Sequence, residues 1–175
     1  MSQQLLPGYI IHPGASADRS LLVQFMQQSY REIYPEQNFS HLTRTVEQYF
    51  SRDTPLWWVT EGSREQGVGS SEIEQLPITN YQLPKLACLW VGNAVDQIKG
   101  DRHTYIFLLY VKPEHRRRGI GKALMGYLEN WARAKGDRQI GLQVFQSNTP
   151  ALDLYHKLGY QTQSLWMIKT LEDGE

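Results

Sequence analysis

The sequence predicts an α/β fold, in which helices flank a mixed α+β sheet. The predicted elements run strand, two helices, three strands, then helix, strand, helix and strand. The three consecutive strands are expected to form a meander, since neighbours joined by short connections usually pair. The strand–helix–strand unit over residues 104–146 needs a right-handed crossover, which makes its two strands parallel and the sheet mixed.

The first part of the chain predicts one strand, two helices and a second strand. Apolar residues at helical spacing predict a helix over 16–34, which Pro35 ends. A similar stripe predicts a second helix over 40–50. Short apolar runs at 9–12 and 56–62 are typical of strands.

Residues 63–84 break this pattern. The segment is rich in Gly, Ser, Gln and Glu and contains two prolines, which predicts a long loop insertion. Such a loop is either a lid over a site or a segment without fixed structure. No composition shift marks a linker elsewhere, so we expect residues 1–175 to form a single domain.

The remaining chain returns to alternating strands and helices. A short polar stretch at 98–103 suits a hairpin between two apolar runs, and Gly136 and Gly159 are suitable helix stops. The predicted elements are strands at 85–97 and 104–111, a helix from Ile120 to Gly136, a strand at 139–146, a helix from Thr149 to Gly159 and a strand at 161–171.

Composition excludes several classes of partner. The 18 basic residues equal the 18 acidic ones, so no overall field attracts nucleic acid or an acidic membrane. No segment approaches the ~20 apolar residues of a membrane span, and the first residues lack a signal-peptide pattern. We therefore expect a cytoplasmic protein. The single cysteine, Cys88, lies in an apolar run and is expected to be a buried core thiol.

A basic loop with two glycines follows the strand at 104–111. Residues 112–122 carry five Lys or Arg and one Glu, and Gly119 and Gly121 stand where a helix begins. Helix N-termini bind anions, and glycines let a ligand approach the backbone. The pattern matches neither a Walker loop nor a dinucleotide fingerprint, because Ala123 and Leu124 replace the residues that those motifs require. A solvated helix cap remains the other interpretation.

Two motifs together resemble the GNAT superfamily of acetyl-CoA-dependent N-acetyltransferases. The first is the pattern Arg116-x-x-Gly119-x-Gly121 after a strand, and the second is QSNTPALDLYHKLGY at 146–160. The likeness is strong over residues 85–170 and mostly topological before them. It implies the GNAT acyltransferase fold, with a mixed six- to seven-stranded sheet flanked by about four helices, and an enzyme that uses acetyl-CoA as cosubstrate.

The resemblance also implies where the cofactor binds. In the family the basic loop holds the pyrophosphate of coenzyme A, the end of the preceding strand holds the pantetheine arm, and a downstream Asn hydrogen-bonds that arm. The residues at the matching positions are Leu109, Tyr110, Val111, Arg116, Arg117, Arg118, Gly119, Ile120, Gly121, Lys122, Asn148 and Tyr155. A backbone N–H near Leu109 would polarise the thioester carbonyl.

Catalytic roles follow from the same resemblance. Tyr155 matches the tyrosine that protonates the departing thiolate, a task that suits a phenol neutral at pH 7. The general base has two candidates, Tyr105 on the strand and Glu32 at the end of the first long helix. Gln143 stands where some family members carry a titratable base, and it cannot titrate. Tyr105, Tyr155 and Glu32 also have purely structural interpretations, as core aromatics and a solvated carboxylate.

The acceptor is expected to be a primary amine on a small molecule or peptide, attacked directly in a ternary complex. The alternative is a module that binds coenzyme A as a sensor without turnover. No metal site is expected, because the histidines lack ligand spacing, and a homodimer is conceivable from the family. Five aromatic residues suit either an amine pocket or the core, namely Tyr30, Tyr34, Trp57, Trp58 and Tyr81.

Overall fold

A computed structural model of the chain describes residues 2–62 and 83–171. The chain divides into two compact units, Met1–Gln143 and Val144–Glu175. The predicted insertion at 63–84, and Tyr81 with it, lies outside the described residues except for its last two positions.

The first unit contains a mixed sheet in which strands are neighbours in the order of the sequence. Each pair is antiparallel except the last, which is parallel as the crossover predicts. The mixed sheet is therefore confirmed. Its strands among the described residues are β1 (Gln3–Leu6), β2 (Tyr9–Pro13), β3 (Leu56–Glu61), β4 (Ala87–Val95), β5 (Arg102–Val111) and β6 (Ile140–Leu142).

Three helices of this unit are α1 (Arg19–Ile33), α2 (Leu42–Tyr49) and α3 (Ile120–Lys135). Short 3-10 turns precede α1 at Ser16–Asp18 and α3 at Pro113–His115. Helices α1 and α2 pack their apolar stripes on one face of the sheet around a large aromatic core. That core includes Leu22, Phe25, Met26, Phe39, Leu42, Val46, Leu56, Trp58, Cys88, Trp90, Leu108 and Tyr110.

Two adjacent tryptophans on β3 show how the sheet divides the core. Successive strand residues point to opposite faces. Trp58 packs edge-on against Phe25 of α1, and its indole N–H donates to Asp18 at 2.9 Å. Trp57 packs against Trp131 of α3 at 5.3 Å between ring centroids. Of the two interpretations that the sequence leaves open for these tryptophans, the structure therefore supports the core.

Cys88 lies on β4 inside the α1–α2 core and is completely buried. Burial disfavours the thiolate and raises the pKa of this thiol far above its ordinary value. The expectation of a buried core thiol is confirmed.

The structure corrects the predicted strands at both ends of the chain. Strand β1 was not predicted, because its four residues are two glutamines and two leucines without strand alternation. Strand β6 covers only Ile140–Leu142 of the predicted 139–146. The strand predicted at 161–171 is wrong: these residues have no assigned strand, and Leu165 to Ile168 are 70–87% exposed. Alternating apolar residues form a strand only where a neighbouring ladder is available.

The second unit contains one helix among its described residues, α4 (Thr149–Lys157). Asn148 caps it, with its side-chain oxygen accepting from the Ala151 N–H at 3.3 Å. Gly159 follows the helix with φ of +89°, the left-handed conformation that a glycine stop provides. Over the described ranges of both units, no helix has the length and apolar character needed to cross a membrane.

Candidate active site

The edge of β5 becomes open where β6 stops. The parallel pair contains only Thr104 to Ile106 on β5 and Ile140 to Leu142 on β6. Strand β5 continues to Val111, and on its other side β4 pairs with it as far as Val111. Residues 107–111 therefore have a strand partner on one side only among the described residues. Unpaired backbone groups at such an edge need another hydrogen-bonding partner.

The direction of these backbone groups follows from the antiparallel register. The Lys112 N–H donates to Leu86 O at 2.9 Å, beside the first residue of β4. Because strand residues alternate, Tyr110 also directs its backbone groups to β4, whereas Leu109 and Val111 direct theirs to the open side. The Val111 carbonyl is occupied there by the Arg116 Nε–H at 2.8 Å. The N–H and C=O of Leu109 face this open side and have no strand partner there in the described part of the chain.

The loop between β5 and α3 contains an unusual backbone conformation. Arg117 has φ of +61°, and no other described residue except glycine has a positive φ. Gly119 has φ of +84° and forms the N-cap of α3. A left-handed conformation is strained for a side chain such as arginine, and such strain occurs frequently at binding sites. Left-handed residues of this kind let successive N–H groups converge on an anion.

The backbone N–H groups of this loop are free to bind a ligand. No side chain caps α3, and its first helical hydrogen bond is from Ala123 N–H to Gly119 O at 2.9 Å. The six N–H groups of residues 117–122 have no hydrogen-bond partner within the described part of the chain. The start of a helix also carries partial positive charge. The loop therefore has the backbone arrangement that a candidate anion site requires.

The basic side chains of the loop are not equivalent. Arg118 donates to the Tyr9 hydroxyl at 3.1 Å. Arg116 forms an ion pair with Glu32 of α1 at 2.5 Å, besides its bond to Val111 O. Arg117 and Lys122 are exposed and make no polar contact with a described residue. The side chains most available to an anion are therefore those of Arg117 and Lys122.

Glu32 connects the loop to the core. Its second carboxylate oxygen accepts from the Tyr110 hydroxyl at 2.5 Å. Burial and this carboxylate together raise the pKa of Tyr110 well above its ordinary value. Sequence patterns indicate Glu32 as a possible base but do not pair it with Arg116. The signal that could have done so is the carboxylate's place at the C-terminus of α1, where a cation is favoured.

Tyr105 is half-buried on β5, with its ring 5.6 Å from that of Phe107. Burial, and to a lesser extent Tyr30 on α1, raises the pKa of Tyr105. The phenol is therefore protonated at neutral pH and can donate a hydrogen bond. Gln143, immediately after β6, is exposed.

Asn148 and Tyr155 both belong to the second unit. The Asn148 oxygen caps α4, while its NH₂ group has no partner among the described residues. Tyr155 is 8% exposed, and its ring lies 5.7 Å from that of Tyr160. Burial raises the pKa of Tyr155 to about 12, so the hydroxyl stays protonated at physiological pH.

Comparison with known proteins agrees with this geometry. A model of the Acetyltransferase (GNAT) family matches residues 23–160. The N-acetyltransferase YdgE of Bacillus subtilis (strain 168) is 26% identical over 138 residues, covering 79% of this chain and 85% of YdgE. A bovine thialysine N-epsilon-acetyltransferase is 42% identical over 60 residues, which are 34% of this chain and 35% of that protein.

Solved structures show the same fold. A Clostridium acetobutylicum protein described as a predicted acetyltransferase, solved with acetyl-CoA, aligns with a TM-score of 0.65 at 19% identity, over 93% of this chain and 96% of that one. An aminoglycoside acetyltransferase from an uncultured soil metagenomic sample gives a TM-score of 0.62 at 17% identity, over 97% and 100% of the two chains. The fold and the family match together place this chain in the Acetyltransferase (GNAT) family.

Proposed function

We propose that the protein transfers the acetyl group of acetyl-CoA to a primary amine, without an acyl-enzyme intermediate. The observation that carries this proposal is the open edge of β5, which is followed after one 3-10 turn by six N–H groups at residues 117–122 that have no partner among the described residues. A strand edge suits an amide-containing arm, and the loop suits a pyrophosphate. Acetyl-CoA contains both parts joined in that order.

The cofactor residues are proposed on the same ground. The pyrophosphate would bind the N–H groups of the loop, with charge from the Arg117 and Lys122 side chains. The pantetheine arm would extend along the open side of Leu109 to Val111. The Leu109 N–H would then donate to the thioester oxygen as negative charge develops there. Asn148 is assigned to the arm by the family resemblance, and its NH₂ group is the donor that it would use.

The reaction would proceed in one ternary complex. The neutral amine nitrogen attacks the thioester carbon, and the oxygen becomes an oxyanion. The C–S bond then breaks as the amide forms, the amine proton leaves through water, and the thiolate takes a proton from the Tyr155 hydroxyl. A tyrosine with pKa about 12 is fully protonated when this step begins. We propose that the Tyr105 hydroxyl, which a raised pKa keeps protonated, hydrogen-bonds the water that carries the amine proton away and relays that proton onward.

The acceptor would be an amine-bearing small molecule or peptide. The metagenomic aminoglycoside acetyltransferase, also solved in complex with sisomicin, supports testing acceptors of this class. The described aromatic residues near α1, Tyr30 and Tyr34, can contribute cation–π contacts to an ammonium group. A panel of polyamines, aminoglycosides and peptide N-termini therefore samples the proposed class.

The first test is a thermal-shift titration with acetyl-CoA, coenzyme A and ATP. Saturation at ~100 times the dissociation constant should stabilise the protein by about 2.7 kcal/mol, seen as a melting shift of roughly 5 °C. We expect this shift with both coenzyme A species and its loss in Gly119→Glu. A protein that shows no shift with either species does not have the proposed cofactor site.

The second test measures transfer on the amine panel with Tyr155→Phe as the matched variant. Loss of the acid should lower kcat roughly 100-fold, with little change in the dissociation constant of coenzyme A. Binding of coenzyme A without turnover on any amine would instead favour a sensor module. Equal rates in both proteins would exclude Tyr155 as the acid.

A further inference from the structure

Glu32 stands at a position that is unfavourable for an isolated carboxylate. It precedes the last residue of α1, where the helix carries partial negative charge. Its side chain is 31% exposed, yet both oxygens are engaged, one by Tyr110 and one by Arg116, each at 2.5 Å. The helix end and the carboxylate together attract the Arg116 guanidinium, which fixes the orientation of that group.

The Arg116 guanidinium has N–H donors that its hydrogen bonds to Val111 and Glu32 do not use. It carries five N–H groups in a planar arrangement. Its Nε–H binds Val111 O and its terminal Nη2 binds Glu32, which together use one edge of the plane. The guanidinium also lies over the Tyr110 ring, 5.5 Å from its centroid. The end edge, formed by Nη1 and the second N–H of Nη2, makes no further hydrogen bond with a described residue. That edge has the paired donors that bind a phosphate bidentately, and the side chain is 41% exposed.

We propose that Glu32 is a positioning residue for the basic loop at residues 112–122, which is called the anion-binding loop below. It holds one edge of Arg116 against the end of β5, so that the other edge is presented to the pyrophosphate. The inference rests on the proposed function, because it assigns Arg116 an anionic ligand. Glu32 itself touches no part of the cofactor.

This arrangement joins three parts of the first unit through one side chain. Helix α1, the open end of β5 and the anion-binding loop all meet at Arg116. Removing the Glu32 charge therefore frees the guanidinium to rotate, which weakens its contact with phosphate and leaves the strand edge intact. The predicted defect depends on the phosphates of the ligand and is absent for a ligand that lacks them.

The test compares Glu32→Gln with Glu36→Gln, an exposed carboxylate just beyond α1 that makes no hydrogen bond or ion pair with a described residue. Calorimetry would measure the dissociation constants of coenzyme A and of pantetheine, which has no phosphate. We expect Glu32→Gln to raise the constant for coenzyme A roughly fivefold and to leave that for pantetheine unchanged. Glu36→Gln should change neither constant.

Arg116→Ala and the double variant complete the design. If Glu32 acts only through Arg116, the double variant binds coenzyme A no more weakly than Arg116→Ala alone. The proposal is overturned if the two defects add, if Glu32→Gln equals Glu36→Gln, or if pantetheine weakens as much as coenzyme A. Failure of the unaltered protein to bind coenzyme A would instead overturn the proposed function.

Discussion

The two ends of α3 are both capped by a glycine, but they differ in whether the neighbouring backbone N–H groups are hydrogen-bonded. Gly119 and Gly136 are both left-handed, with φ of +84° and +94°. At Gly136 the chain closes the helix: its N–H donates to Arg133 O, and the Asp137 N–H donates to Ala132 O, each at 3.0 Å. At Gly119 the neighbouring N–H groups have no partner in residues 2–62 or 83–171. The comparison shows that a left-handed glycine permits either closure or an open site.

Side chains reinforce this difference. Around the closed end, Asp137 accepts from the Thr104 hydroxyl and from Lys135, and Lys135 also donates to Asn93 at 2.6 Å. Helix, β4 and β5 are thereby connected. At the open end no side chain caps α3. The first unit therefore satisfies its polar groups where α3 is anchored and leaves them available where a ligand is proposed.

The largest effect should come from adding a carboxylate at either glycine. Gly119→Glu places negative charge and strain in the anion-binding loop, so the dissociation constant of coenzyme A should rise about 100-fold or more. Gly136→Glu introduces the same strain at the closed end and should lower the melting temperature without weakening coenzyme A. Calorimetry on both variants checks the contrast. Comparable losses of binding would show that the two ends do not differ functionally.

An intermediate effect is expected at Asp137. Burial opposes its ionisation, but hydrogen bonds from Thr104 and Lys135 outweigh burial and lower its pKa below the ordinary value of 3.8. A lowered pKa stabilises the fold above the unfolded value and loses that contribution as pH falls through the folded one. Asp137→Asn should therefore cost about 1 kcal/mol at neutral pH.

The pH dependence provides the control for this variant. Urea unfolding of both proteins should show a stability difference that is constant above about pH 5 and shrinks as pH falls below about 4. Binding of coenzyme A to folded Asp137→Asn should be unchanged. A difference that persists unaltered at low pH would mean that the Asp137 charge does not contribute.

The smallest effect is expected at Arg117, where two variants distinguish the contribution of backbone strain from that of side-chain charge. Arg117→Ala and Arg117→Gly both remove a guanidinium and should weaken coenzyme A by roughly threefold, less at high salt. Only glycine relieves the left-handed backbone, so Arg117→Gly should be about 1 kcal/mol more stable than Arg117→Ala. Thermal unfolding of the pair measures this. Equal stabilities would mean that the loop relaxes when the side chain is shortened.

The elements that sequence predicted best were those with local signals. Helix α3 has an apolar stripe and a glycine stop, and the basic loop before it has a recognisable spacing. The prediction of a strand at 161–171 was wrong because a strand needs a neighbouring strand to pair with, and the local sequence does not show whether one is available. The ion pair of Glu32 and Arg116 was also not predicted, since the two residues are 84 positions apart in the sequence. Only the packing of α1 on β5 brings them together.

Cys88 gives this fold an internal probe for opening of its core. It is the only cysteine in the sequence, and within the sheet it is fully covered by the α1–α2 core. A thiol reagent can reach it only when that core opens, and its raised pKa suppresses the reactive thiolate before then. The rate of labelling therefore reports how often the core opens, without any introduced probe. A ligand that binds only the folded protein should lower the rate of Cys88 labelling, and the decrease should follow the fraction of protein that is bound.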